Sequence, residues 1–207
     1  MTGAAQSGPP AARACAAGPN EERIMTNPDV DNEPDAGTLA QVEQLLRDED
    51  LRRRALVVLV GDHPRADDRA GALVAELLDE DGLKVDAVIR APAEKTRVRQ
   101  ALETAVVGGA DLVVTVGGVG VGPRDRVPEA TEKVLDRRLC GIEEAVRASG
   151  LAVGAADAGL SRGLAGVSGS TVIVNLADSR AAIRDGMATV LPLVHHVISD
   201  LGRWRVQ

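Results

Sequence analysis

Two hydrophobic spacings alternate along the chain. Short runs rich in Val, Leu and Ile predict buried strands at residues 55–60, 84–89, 110–116 and 170–176. The segments between these runs carry apolar residues every three or four positions, which is the spacing of amphipathic helices. Strands that alternate with helices are typical of a mainly parallel sheet with helices on both faces. The pattern therefore predicts a three-layer α/β fold.

The predicted helices lie at residues 70–82, 94–108, 128–138 and 141–149, and a long helix follows residue 179. The hydroxyl of Ser179 suits the N-cap of that last helix. Pro128 suits the first position of the third helix, and Glu129 suits its positive end. A helix is thus expected to start directly after a glycine-rich segment.

The first fifty residues differ from the rest of the chain. Residues 1–37 contain five prolines among Gly, Ala, Asn and acidic residues, which predicts a disordered acidic tail. Apolar residues at helical spacing predict a short helix or linker at residues 38–50, which either covers the core or binds a partner. Residues 51–207 are expected to form the α/β domain.

The net negative charge of the protein comes entirely from the same front segment. Residues 1–50 carry ten acidic residues against three Arg, a net charge of −7, whereas residues 51–207 carry 21 acidic and 21 basic residues. The chain has one Trp and neither Phe nor Tyr. A neutral domain without stacking aromatic rings argues against a nucleic-acid partner. Two distant cysteines and the lack of a run of about 18 apolar residues predict a cytoplasmic protein with no membrane partner.

The segment TVGGVGVGPRDRVPEAT, residues 115–131, follows the third predicted strand and concentrates glycine. So much bare backbone is favourable where the main chain must approach something closely, and we interpret that partner as an anionic ligand at the carboxyl end of the strand. Pro123 occupies the position where a dinucleotide-binding turn needs its last glycine. No Gly-Lys-Ser/Thr follows, so the segment is not a Walker loop.

Two charged residues, Arg124 and Asp125, lie beside these glycines. Backbone amides and a guanidinium would hold phosphate or pterin oxygens. The carboxylate would either coordinate Mg²⁺ or accept a proton. The residues alone also allow a tight turn with a surface ion pair.

Four segments carry a resemblance to a known family: DLVVTVGGVGVGPRDRVPEAT, LDRRLCGIEEAVR, LSRGLAGVSGSTVIVNL and DGMATVLPLV. In order and spacing they resemble the MoaB/MogA family of molybdenum cofactor biosynthesis proteins, also called the molybdopterin-binding domain, over residues 54–201. The resemblance implies a homotrimer or a hexamer built from trimers. It also implies binding of molybdopterin and, in active members, adenylation of molybdopterin with Mg-ATP. Related domains occur in other cofactor-assembly proteins, which are therefore candidate partners.

The resemblance also assigns roles to individual positions. Asp125 matches the acidic residue of the adenylyl-transfer site and is the candidate Mg²⁺ ligand, while Glu94 stands for a second catalytic acid. The residues expected to bind the cofactor are Gly117, Gly118, Gly120, Gly122, Arg124, Glu144, Ser161, Arg162, Asn175 and Ser179.

Several family positions are changed in this chain. Val116, Val119 and Val127 replace hydroxyl-bearing residues, Ala93 replaces an acid, and Asp178 replaces a glycine. Two hypotheses follow from these changes. One is a molybdopterin-binding protein that adenylates its ligand, and the other is a catalytically impaired relative that binds pterin and acts as a scaffold or regulator.

Overall fold

The computed structural model describes residues 53–61 and 69–204. The expected tail at residues 1–37 and the expected helix at 38–50 lie outside the described residues. Six strands are present in the described part: β1 (Arg54–Val60), β2 (Lys84–Ala91), β3 (Leu112–Val116), β4 (Arg137–Arg138), β5 (Ala165–Ser168) and β6 (Thr171–Leu176).

The strands form one sheet in the order β2-β1-β3-β6-β5-β4. The pairs β2–β1, β1–β3 and β3–β6 are parallel, whereas β5 runs antiparallel to both β6 and β4. The predicted mainly parallel sheet is confirmed, but β4 and β5 were not predicted. Both are short, and β5 is joined to β6 by a two-residue turn in which Gly169 has a φ of +57°. Strands of this length are too short to show a period-2 pattern.

The helices are α1 (Arg69–Glu80), α2 (Lys95–Val107), α3 (Val127–Thr131), α4 (Cys140–Ala152), a 3₁₀ helix (Ala156–Leu160) and α5 (Arg180–Trp204). The predicted helix at 128–138 is wrong beyond Thr131, because the chain turns there and enters β4. None of the described helices is long and apolar enough to cross a membrane.

The core consists of two hydrophobic clusters, one on each face of the sheet. On one face, Val57 and Val114 pack in the same cluster as residues of α1 and α5, including Leu78 and Met187. On the other face the sheet packs against α2 and α3. Adjacent strand residues alternate between the two clusters because successive side chains point to opposite faces. The predicted three-layer arrangement is confirmed.

The parallel strands bring two loops to the same edge of the sheet. Val116, the last residue of β3, pairs with Leu176, the last residue of β6. The glycine-rich turn follows β3, and the loop at residues 177–179 follows β6. Ser179 begins α5 as predicted, since its Oγ accepts a hydrogen bond of 3.2 Å from the Ala182 amide. The candidate site lies where these loops meet.

Candidate functional site

The first two glycines of the turn are required by the backbone. Gly117 and Gly118 have φ values of +97° and +64°, which residues with a side chain rarely adopt. A Cβ atom at Gly117 would lie 2.8 Å from the carbonyl oxygen of Val60, and one at Gly118 would lie 2.7 Å from a methyl group of Val127. The turn therefore packs directly against the end of β1 and the start of α3.

The next two glycines make room for a carboxylate. A Cβ atom at either Gly120 or Gly122 would lie 2.8 Å from Oδ2 of Asp125. The Gly122 amide donates a 2.8 Å hydrogen bond to that oxygen, and the Asp125 amide donates one of 3.1 Å to the Gly122 carbonyl. The interpretation of the sequence assigned the close approach to a ligand. The structure shows that the chain itself makes it at all four glycines.

The amides of the turn divide into two groups. Those of Gly117 and Gly122 are used internally, since Gly117 donates to the Leu176 carbonyl at 2.9 Å and Gly122 donates to Asp125. The amides of Gly118 and Gly120 donate no hydrogen bond to the described residues, and both glycines are partly exposed. These two N–H groups are available to a ligand.

Arg162 holds the turn rather than facing the cleft. Its Nε donates to the Gly120 carbonyl at 2.7 Å, and its two terminal nitrogens donate to the Asp125 carbonyl and to Oε1 of Glu129, each at 2.5 Å. Its own amide donates to the Val119 carbonyl at 2.8 Å. The guanidinium predicted to bind the cofactor is thus occupied by the protein.

Glu129, the acid that pairs with Arg162, was predicted only to favour the start of a helix. Burial raises the pKa of its carboxyl, but the hydrogen bond and the positive charge of Arg162 outweigh burial, so that pKa lies below its usual range. Oε2 of Glu129 is buried and has no hydrogen-bond partner among the described residues. The VPEAT segment contains no signal that would have predicted the pairing with Arg162.

A cleft of about 310 Å³ lies beside the turn. Its walls come from the glycine turn, from the 3₁₀ helix and its end, and from the loop after β6. The residues that line it are Gly117, Gly118, Val119, Gly120, Val121, Asp125, Asp157, Leu160, Ser161, Ala177 and Asp178. Three of these described residues are aspartates, and none is Lys or Arg. The described lining of the cleft is therefore acidic. Asp157 could not be identified from the sequence because it stands in no motif.

A second cavity of about 180 Å³ adjoins the cleft. It lies between α4, the 3₁₀ helix and the first turns of α5, and most of its lining residues are Ala, Val or Leu. Asp157, Ser161 and Ala177 line both spaces. Ser161 therefore lies between an acidic space and a mainly apolar one.

Asn175 contributes to the site from inside the core. Its side-chain amide donates to the hydroxyls of Thr115 and Thr131 at 2.8 and 3.0 Å, and its Oδ1 accepts from the Leu164 amide at 3.1 Å. The residue is 4% exposed. Both of its donors are used internally, so it connects β6 with β3, with α3 and with the residue before β5. Ser179, in addition to capping α5, lines the second cavity.

Three predicted residues are exposed and line neither the cleft nor the second cavity. Glu94 is the exposed residue before α2, and Arg124 is exposed in the turn. Glu144 is exposed on α4.

The neighbouring residue, Glu143, is the buried acid of α4. Its side chain, 3% exposed, forms a two-oxygen ion pair with Arg138 and accepts a 3.3 Å hydrogen bond from the Ala165 amide. This pairing raises the pKa of Arg138 above its usual range. The spacing of Glu143 with Val146 and Gly150 is the signal that could have identified the inward face of α4.

The valines that replace hydroxyl-bearing residues belong mainly to the core. Val116 and Val127 are 2% and 0% exposed and do not line the cleft, whereas Val119 lines it while only 4% exposed. Asp178 does line the cleft. Of the changed positions, Asp178 is therefore the one that brings an acidic side chain into the described lining of the cleft.

The donor set of the cleft suits a hard cation only in part. Carboxylates are preferred ligands of Mg²⁺, which commonly uses one or two of them and takes its remaining ligands from water and substrate phosphates. Among the described residues, no group of three or more His, Cys, Asp or Glu side chains is arranged to hold a metal ion. The residues fit Mg²⁺ that is held jointly with a phosphorylated ligand.

A cleft at the carboxyl edge of a mainly parallel sheet is the usual ligand position in α/β proteins. Residues 52–196 match the family described as "Probable molybdopterin binding domain". The chain belongs to this family and is a molybdenum cofactor biosynthesis protein of the MoaB/Mog type.

Individual relatives are also named as proteins of molybdenum cofactor or molybdopterin synthesis. The crystal structure of a molybdopterin biosynthesis protein from Mycobacterium abscessus superimposes on this chain with a TM-score of 0.71. The two sequences are 54% identical, and the match covers 74% of this chain and 98% of that one. A molybdenum cofactor biosynthesis bifunctional protein from Chlorobaculum tepidum is 34% identical over 66% of this chain and 43% of its own length. A molybdopterin adenylyltransferase from Helicobacter pylori is 40% identical over 42% of this chain and 49% of its own. The chain thus spans less than half the length of these two curated relatives.

Proposed function

We propose that the protein binds molybdopterin in the acidic cleft and adenylates it with Mg-ATP. The observation that carries this proposal is the Asp125 carboxylate, which the glycine turn encloses at the wall of the cleft. Family membership and the similarity to a protein named molybdopterin adenylyltransferase support the choice of ligand and reaction.

The charge of the cleft decides how an anionic ligand must enter. A phosphate about 4 Å from one aspartate would be repelled by about 4 kcal/mol at an effective dielectric constant of 20. Asp125, Asp157 and Asp178 all line the same space. Bare phosphates would therefore be disfavoured, and Mg²⁺ would neutralise them when it binds with the nucleotide.

The chain's own residues would position the ligands. Asp125 would provide an oriented carboxylate for the cation, and the amides of Gly118 and Gly120 would donate to phosphate oxygens. The adjoining apolar cavity would accept a flat ring, with Ser161 between the two spaces. Glu94, the residue before α2, stays a prediction as a second acid, and it does not line the cleft.

One observation favours the second candidate function, a pterin-binding protein without adenylation activity. Asp178 adds a carboxylate to the cleft where the family pattern has glycine. If this extra charge prevents nucleotide binding while molybdopterin still binds, the protein would act as a scaffold or regulator. A homotrimer, and other cofactor-assembly proteins as partners, are proposed for either function.

Calorimetric titration with Mg-ATP and with molybdopterin, followed by detection of adenylylated pterin, separates the candidates. Asp125→Asn should abolish product formation, whereas Asp79→Asn, on the exposed surface of α1, should leave it unchanged. Molybdopterin binding without adenylylated product, in the presence of Mg-ATP, would favour the second function. If neither ligand binds at millimolar concentration, both functions are wrong.

A further inference from the structure

Arg162 connects the two ends of the segment that encloses the Asp125 carboxylate. Its guanidinium binds the carbonyl oxygens of Gly120 and Asp125, at 2.7 and 2.5 Å. The residues between those two carbonyls include Gly122, whose amide binds the carboxylate. Because a guanidinium is planar and its donors have fixed directions, two such bonds restrict the distance between the ends of the segment.

Glu129 completes this contact. Its Oε1 lies 2.5 Å from a terminal nitrogen of Arg162, while its buried Oε2 has no partner among the described residues. A buried carboxylate oxygen without a hydrogen bond is unfavourable for folding and calls for an explanation. Its position on α3 allows Glu129 to fix the direction of the Arg162 fork.

Neither residue lines the cleft or the adjoining cavity. A ligand held there would contact Asp125 and the glycines, not Glu129 or Arg162. Any effect of this pair on a ligand must therefore act through the turn.

We propose that Glu129 is a positioning residue of the cleft, acting through Arg162. Its carboxylate orients the guanidinium, the guanidinium fixes the carbonyls of Gly120 and Asp125, and the turn then holds the Asp125 carboxylate towards the cleft. The consequence for ligand binding rests on the proposed function. The bracing of the turn, by which we mean the restriction of its geometry by Arg162 and Glu129, does not.

The test uses a readout that needs no activity. The Gly122 amide donates to Asp125 Oδ2 at 2.8 Å, so its ¹H–¹⁵N NMR resonance reports the position of that carboxylate. Glu129→Gln preserves the size of the side chain and removes the charge. Glu132→Gln, at an exposed position three residues further on, is the matched control. Arg162→Lys tests the same contact from its other partner, because lysine lacks the planar fork.

We expect Glu129→Gln and Arg162→Lys to shift the Gly120 and Gly122 resonances, while Glu132→Gln leaves both unchanged. Circular dichroism and thermal unfolding confirm that each variant is folded. In folded variants, the Kd for Mg-ATP should rise by about tenfold to a hundredfold, as is common when a residue that orients a ligand-binding group is removed.

The outcomes separate this proposal from the proposed function. Unchanged glycine resonances in folded Glu129→Gln would overturn the bracing, whether or not the protein binds nucleotide. Shifted resonances with an unchanged Kd would overturn the positioning role. Shifted resonances in a protein whose wild type binds neither Mg-ATP nor molybdopterin would support the bracing and refute the proposed function alone.

Discussion

Gly122→Ala tests directly whether the position of the Asp125 carboxylate matters. The new Cβ atom would lie 2.8 Å from Oδ2 of Asp125 and 3.6 Å from its Cγ. Ordinary van der Waals contact begins at 3.4 Å, so the oxygen must move by about 0.6 Å. The φ of Gly122 is not in the left-handed region, so alanine introduces no backbone strain there.

The expected change in stability is small. Moving the carboxylate weakens its hydrogen bond to the Gly122 amide, a loss of about 1 kcal/mol. Replacing glycine by alanine reduces the entropy of the unfolded chain, which restores about 0.4–1 kcal/mol. The atom that must move is the end of a flexible side chain, so further rearrangement is unnecessary. The free energy of unfolding should therefore change by less than about 1 kcal/mol.

The expected change in ligand binding is larger. Misplacement of a reacting or binding group by about 1 Å can reduce activity about a hundredfold, so a shift of this size should weaken Mg-ATP binding and adenylation by roughly tenfold or more. Isothermal titration and urea unfolding measure the two quantities on the same sample. Gly141→Ala is the control, because its Cβ atom meets nothing within 4 Å and it lies in the first turn of α4.

Two results would refute the reasoning. Wild-type affinity and turnover in Gly122→Ala would show that the carboxylate need not be held where the turn places it. A loss of several kcal/mol in stability would show that the carboxylate cannot move as described. In Gly141→Ala, affinity should be unchanged, and stability should be equal or slightly higher.

Three further predictions concern groups around the cleft. Asn175→Ala should lower the free energy of unfolding in urea by about 3 kcal/mol, because two hydroxyls and one amide lose a buried partner; a loss below about 1 kcal/mol would contradict this. Glu143→Ala should lower it by about 2 kcal/mol or more, whereas Glu144→Ala, at an exposed position, should change it by less than about 0.5 kcal/mol; equal effects would disprove the assignment of the inward face of α4. Arg162 lowers the pKa of the Glu129 carboxyl, so their contact should stabilise the fold above the pKa that this carboxyl has in the unfolded chain. This contribution should disappear as the pH falls through the lower pKa of the folded state, and Glu129→Gln should reduce the acid-side slope of stability against pH; an unchanged slope would contradict the contact.

Part of the candidate site could be predicted from local sequence. The glycine turn at the end of β3, Asp125 within it and the cap at Ser179 all depend on residues close together in the chain. Their spacing is sufficient to locate a turn, a carboxylate and a helix start. The physical reason for the glycines was different from the one inferred, because the Asp125 carboxylate occupies the space assigned to a ligand.

Contacts between distant residues could not be predicted in this way. Arg162 and Glu129 are 33 positions apart, and no periodicity relates them. The Arg162 guanidinium was therefore predicted to bind a ligand. Asp157 reaches the cleft only because the 3₁₀ helix packs beside the turn. Of the two glutamates at the start of α4, the family pattern predicted Glu144 as the site residue, whereas the buried one is Glu143.

Local patterns along the chain were sufficient to predict the fold class, the two-sided core and the place of the glycine turn. These follow from side-chain periodicity and from backbone preferences, which act over a few residues. Three features became evident only in the folded protein: the antiparallel edge formed by β4 and β5, the acidic lining of the cleft, and the internal use of Arg162 and Asn175. These depend on which groups meet across the sheet, since hydrogen bonds and charge interactions act over a few ångströms in space, regardless of separation along the chain.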